Sequence, residues 1–135
     1  EAARVERGGK PFSLVLLDLD DFKRVNDEKG HPEGDRLLKE VARYLVAHVR
    51  QGDLVSRWGG EEFAILLPET DALQATRLAE RLREGLKALG TTASFGVASY
   101  RGDLEALYRK ADEALYRAKR GGKDRVARYT DQGSR

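Results

Sequence analysis

The sequence has no cysteine and no methionine, and only three prolines and one tryptophan among its 135 residues. Without cysteine there can be no disulfide, no thiolate metal site and no cysteine nucleophile, although the redox compartment stays open. Long apolar runs are also missing. None approaches the roughly 20 residues that a membrane span needs, and the N-terminus lacks the apolar stretch of a signal peptide. A soluble, cytoplasmic domain making no membrane contact is expected, although its parent could be anchored through another segment. Charge of one sign is scarce as well: 25 Lys and Arg against 23 Asp and Glu leave a net +2. The two signs are mixed along the chain, so there is no basic block and no argument for nucleic acid. The missing methionine, with a start inside a helical-looking stretch (Ala2, Ala3, Val5), points to a piece of a longer chain. Asn26 is the one asparagine and glutamines number three, a depletion of thermolabile residues of the kind seen in thermophiles.

What remains is the composition of one ordinary domain: 40% hydrophobic and 36% charged residues, within the size at which single cores form. Leu14-Val15-Leu16-Leu17 and Ala64-Ile65-Leu66-Leu67 are short continuous apolar runs, as in central strands covered on both faces. Between them Leu37, Leu38, Val41, Leu45 and Val49 recur at helical spacing, and the helix ends before Gly52. Residues 53–57 read as a strand. Leu73, Ala75, Ala79, Leu82, Leu86 and Leu89 mark another helix, stopped at Gly90, and residues 93–99 another strand. A last helix (Leu104, Leu107, Tyr108, Ala111, Leu115, Ala118) stops at Gly121-Gly122 before a short strand over 125–129. These stripes are core. The tail over 130–135 is polar and expected to fray.

The chemistry gathers where the first apolar run ends. Asp18, Asp20 and Asp21 put three carboxylates within four residues, and they repel one another unless cations or basic groups offset them. Asp21 could equally cap a following helix; Asp18, on the strand, still needs a partner. Trp58-Gly59-Gly60-Glu61 lies between two strand signals, and a Gly-Gly pair suits a tight hairpin because glycine accepts positive φ. If the strand after the turn runs antiparallel to the first, Glu61 or Glu62 comes close to Asp18. Hard carboxylate ligands on adjoining strand ends suit Mg²⁺ or Mn²⁺, with the other positions left to water and phosphate. Strand alternation lets one of the two glutamates share the face of Asp18, and periodicity does not say which.

Several motifs in order carry a resemblance: Asp18-Leu19-Asp20-Asp21-Phe22-Lys23, Asn26-Asp27, Gly30-His31, Gly34-Asp35, Arg57-Trp58-Gly59-Gly60-Glu61-Glu62-Phe63, Ser94-Phe95-Gly96-Val97-Ala98 and Ala114-Leu115-Tyr116-Arg117-Ala118-Lys119. Together they resemble the GGDEF family of diguanylate cyclases, in its GGEEF form, across nearly the whole chain. The resemblance implies an α+β fold with a central, mostly antiparallel sheet of about five strands wrapped by helices. Its βαββαβ core would be similar to adenylyl cyclase and polymerase palm domains. It also implies condensation of two GTP into cyclic di-GMP and two pyrophosphates across a dimer of two such domains, residues 1–135 forming a single domain of a multidomain signalling protein. The family's usual Asp-x-Leu-Thr-Gly-Leu-x-Asn-Arg segment does not occur in this sequence.

By position, Asp18, Glu61 and the carbonyl of Leu19 match the ligands of Mg²⁺ or Mn²⁺, two ions per half-site, and Glu62 matches a residue that could assist deprotonation of the 3′-hydroxyl. Asn26 and Asp35 match the pair that reads guanine, their donors and acceptors being suited to it. The amides of Asp21, Phe22 and Lys23 at a helix start, with Lys119 and Lys123, match the triphosphate contacts. Gly122-Lys123-Asp124 stands where Gly-Arg-Asn is usual, so the charge is kept and the bidentate fork is lost. Arg50 and Asp53, three residues apart upstream of the hairpin, and Arg81 match an inhibitory site for the product, where arginine meets phosphate and guanine. Other readings remain: a domain without turnover that receives cyclic di-GMP, an enzyme using adenine, disfavoured by Asp35, and a purely structural module, which leaves the carboxylates unexplained.

Overall fold

The first apolar run extends further than its three leucines and one valine suggest. In the computed structural model, which describes residues 11–130, Ser13–Leu19 forms β1, so Asp18 belongs to the strand itself. Two helices follow, α1 (Phe22–Lys29) and α2 (His31–His48). Gly30 separates them at φ 89, with Pro32 in the first turn of α2, where its missing N–H is not needed. The hairpin strands are β2 (Leu54–Arg57) and β3 (Glu62–Leu67). Next come α3 (Ala72–Leu86), opened by a reciprocal capping box between Asp71 and Gln74, and β4 (Ala93–Ser99). The chain ends in α4 (Leu104–Arg120), capped by Asp103, and β5 (Arg125–Arg128).

The strands form one sheet in the order β2-β3-β1-β4-β5. All pairs are antiparallel except β4 with β5, which α4 joins by the crossover that parallel neighbours require. The sheet is therefore mixed, and two helices stand between β1 and β2. Residues 1–10, with the helical-looking start, and residues 131–135 of the expected tail lie outside the described residues.

Both faces of β1 are buried, as its unbroken apolar run requires. Val15, Leu17 and Leu19 join α2 and α3 in one core, while Leu14 and Leu16 join α4 in a second. The second core depends on Gly96: a Cβ there would collide with the backbone of α4 at Ala111 and Leu115. This approach sets α4 directly against β4 and fixes the helix that carries Lys119. By alternation, Asp18 falls on the α4 side of the sheet, beyond Leu14 and Leu16.

Candidate active site

β1 ends beside the hairpin, and that junction forms a hollow of about 210 Å³ lined by Asp18, Leu19, Asp20, Asp21, Glu61, Lys119 and Lys123, together with Phe22 and Lys23. The Gly59-Gly60 turn makes it possible. Both glycines have positive φ (65 and 45), Glu62 N–H donates to the Gly59 carbonyl at 3.1 Å, and Arg57 Nε holds the Gly60 carbonyl at 2.9 Å.

The two glutamates reach Asp18 by different routes. In the β1–β3 register Glu62 lies directly opposite Asp18, so Glu62 is the one on its face of the sheet. Glu61 precedes the strand and is released from alternation. It enters the hollow from the turn, its carbonyl accepting from Leu19 N–H at 3.2 Å. Burial holds the Glu62 carboxyl above the usual carboxylate range, reinforced by the negative charges of Asp18 and Asp112 and opposed by Lys119.

The lysines already have carboxylate partners. Lys119 Nζ pairs with Asp18 Oδ2, and Lys123 Nζ donates to Asp21 Oδ1 at 2.8 Å. Asp21 stands at the N-cap of α1 but does not cap it with its side chain: its backbone is left-handed (φ 56) and its carboxylate turns to Lys123. That pairing lowers the Asp21 pKa and raises that of Lys123. Of the three aspartates, Asp20 is the most engaged. It accepts from Thr92 Oγ1 (2.7 Å), Ser94 Oγ (2.7 Å) and Asp124 N–H (2.9 Å), tying the end of β1 to β4 and to the turn after α4.

Asn26 and Asp35 come together through a glycine. Gly34 is buried inside α2, and a Cβ there would fall on the Asn26 side-chain oxygen and lie 3.1 Å from the Phe22 ring. The missing side chain seats the Asn26 amide against α2, one residue from the exposed Asp35.

On the α2–α3 side, a second hollow of about 240 Å³ gathers Arg50, Arg81, His48, Gln74 and Arg77. Asp53 does not point into it. Its side chain is 1% exposed, accepting from Arg50 N–H at 2.8 Å and the Arg50 guanidinium at 3.4 Å. Arg50 also donates to the Pro68 carbonyl (2.8 Å) and Thr70 Oγ1 (2.6 Å). The Arg50–Asp53 pair therefore builds the turn, and the arginines furnish the hollow.

Residues 1–125 match the profile of the family described as diguanylate cyclase, GGDEF domain. The chain belongs to the GGDEF family. It is 44% identical to the diguanylate cyclase DgcP of Pseudomonas aeruginosa over 137 aligned positions, covering 93% of this chain and 20% of that protein. The chain thus spans about a fifth of that curated relative. Among solved structures, the active GGEEF domain of a diguanylate cyclase from Vibrio cholerae superposes with a TM-score of 0.89 at 34% identity, covering 96% of this chain and 90% of that one. The GGDEF domain of DgcB from Caulobacter crescentus, in complex with c-di-GMP, gives 0.88 at 33%, covering 93% and 80%.

Within this GGDEF domain the donor set fits a hard divalent cation. Asp18 and Glu61 offer carboxylate oxygens around one hollow, with Leu19 between them in space. Among the described residues no three His, Cys, Asp or Glu side chains form a ready cation cage.

Three features escaped the sequence reading. Asp112 acts on Glu62 from α4; it stands seven residues before Lys119, two helical turns along one face. Arg77 joins the arginine hollow from the turn of α3 before Arg81, a spacing of four that could have marked it. His48 had no sequence signal at all.

Proposed function

We propose that this domain condenses two GTP molecules into cyclic di-GMP, releasing two pyrophosphates, when two copies face each other in an antiparallel dimer. One observation carries the reading: Asp18, Glu61, Lys119 and Lys123 line a single hollow at the end of β1, with Asn26 seated against α2 beside Asp35. In this reading the hollow supplies the phosphate-binding cations and hard metal ligands, and Asn26 and Asp35 supply the base-reading groups. Support comes from the family and from the relatives named as diguanylate cyclases.

Asp18, Glu61 and the Leu19 carbonyl would hold Mg²⁺ or Mn²⁺, which when bound polarises phosphoryl oxygens and offsets charge developing on them. Asp35 accepts from the guanine N1–H and exocyclic amine, and the Asn26 amide both donates and accepts. The amides of Phe22 and Lys23 precede the first helical hydrogen bond of α1, which runs from Arg24 N–H, and so suit phosphate together with that of Asp21. Lys119 and Lys123 exchange their carboxylate partners for phosphate oxygens. Glu62, its proton affinity raised, is suited to receive the proton of the 3′-hydroxyl. Each 3′-oxygen then bonds to the α-phosphorus of the other nucleotide as the bond to pyrophosphate breaks. The arginine hollow of Arg50, Arg77 and Arg81 binds the product and slows turnover, a reading supported by the c-di-GMP complex of DgcB.

The test is incubation of the domain, fused to a dimerising helix, with GTP and Mg²⁺ or Mn²⁺, followed by identification of the nucleotides. Cyclic di-GMP and pyrophosphate are expected, and Glu61→Ala abolishes both. A folded forced dimer that makes no product from high GTP, yet binds cyclic di-GMP, would be a receptor instead.

A further inference from the structure

The triphosphate end of the hollow depends on a turn with an unfavourable backbone. Lys123 (φ 64) and Asp124 (φ 46) are consecutive non-glycine residues in the left-handed region, a conformation that L side chains disfavour and that persists only where surroundings enforce it. This turn directs Lys123 to Asp21.

Two sets of contacts hold it. From the site, Asp20 Oδ2 accepts the Asp124 N–H at 2.9 Å. From α3, Arg83 Nη1 donates to Asp124 Oδ1 at 2.9 Å, and Lys87 Nζ stands 3.8 Å from Asp124 Oδ2. Arg83 is not a loosely solvated arginine. Its side chain is 17% exposed, and its other nitrogens donate to Glu80 (2.8 Å) and Glu84 (2.8 Å), so the guanidinium is fixed on two carboxylates besides that of Asp124. Glu80 and then Asp124 raise its pKa further, so it stays charged. Where the family's usual asparagine would offer a neutral oxygen, Asp124 makes this contact a charge-assisted one.

We propose that Arg83 is a positioning residue for the triphosphate: by clamping Asp124 it fixes the left-handed turn from which Lys123 reaches the hollow. The inference rests on reading that hollow as a GTP site. Arg83 touches no substrate, so its loss acts on nucleotide binding through Lys123.

The experiment uses the forced dimer and the variants Arg83→Met, Asp124→Asn and both together. KM and kcat for GTP, thermal unfolding, and hydrogen exchange of the Asp124 amide are measured. Arg83→Met is expected to raise KM about 5- to 10-fold, roughly a 1 kcal/mol effect or slightly more, with kcat within about 2-fold. The double variant gives the same KM as Arg83→Met alone, since the charge of Asp124 acts through Arg83, and the Asp124 amide exchanges faster in Arg83→Met. An unchanged KM in folded Arg83→Met, or fold-changes that multiply in the double variant, overturns the proposal. If the parent dimer makes no product, the cyclase reading falls on its own, and amide exchange decides the clamp: an unaltered rate at Asp124 in Arg83→Met refutes it.

Discussion

Replacing Gly34 by alanine separates two effects that usually travel together. In the interior of a helix this change normally stabilises by about 1 kcal/mol, because glycine loses the most backbone freedom on folding. Here the new methyl would fall on the side-chain oxygen of Asn26 and sit 3.1 Å from the Phe22 ring. The oxygen is the end of a short rotatable side chain, so Asn26 swings away. The buried Phe22 ring shifts by a few tenths of an ångström. The helix gain and this readjustment nearly cancel, and stability changes by less than about 1 kcal/mol, or roughly 5 °C in Tm.

Nucleotide binding suffers instead. Loss of the Asn26 hydrogen bonds to guanine is worth about 0.5–1.5 kcal/mol, so KM for GTP rises about 3- to 10-fold. Asn26→Ala gives the same KM. In the Asn26→Ala background the obstruction is gone, and Gly34→Ala now raises Tm while leaving KM where it was. Melting curves and GTP kinetics on the four proteins check this. A parental KM in Gly34→Ala, or no gain of Tm in the second background, refutes the role given to the glycine.

Two further outcomes concern charge. Glu62 has its folded pKa raised above the ordinary 4.5 by burial and then by Asp18 and Asp112. Its stabilising contribution is therefore complete below the unfolded pKa and is lost as pH rises through the folded one. Glu62→Gln should melt higher than the parent at pH 7, by about 0.5 kcal/mol once solvent screening is allowed for, and the same as the parent at pH 4; a lower Tm at pH 7 counts against the like-charge cluster. Asp53→Ala should cost about 1–3 kcal/mol, because its buried carboxylate holds the Arg50 amide. Arg81→Ala, on an exposed side chain, should weaken product inhibition with Tm unchanged; equal melting of Asp53→Ala and parent would contradict the turn-building role.

Much of the fold was legible because its signals are local. The runs at Leu14 and Ala64, the heptad-like stripes and the stops at Gly90 and Gly121 each follow from one segment's own periodicity. α1 left a weaker trace: within Phe22–Lys29 only Phe22 is buried, so no apolar stripe marks it. The parallel pairing of β5 was not legible either, since it follows from the packing of α4 across Gly96 and not from any property of residues 125–128.

The division between Glu61 and Glu62 shows where sequence reasoning stops. Alternation says that adjacent strand residues face opposite ways, but it binds only residues already in the ladder. The turn bond from Glu62 N–H to Gly59 and the pairing of Asp18 with Glu62 start the β3 ladder at Glu62. Glu61 is therefore one residue outside it, free to approach from the turn, while Glu62 approaches across the sheet. Had the register slipped by one residue, Glu61 would have faced Asp18 and Glu62 the opposite core. Two carboxylates can thus converge on one aspartate although alternation alone allows one, and their environments differ: Glu62 is half-buried and feels the charge of Asp112 on α4, while Glu61 lines the open hollow. That difference suits one to proton transfer and the other to a metal ion.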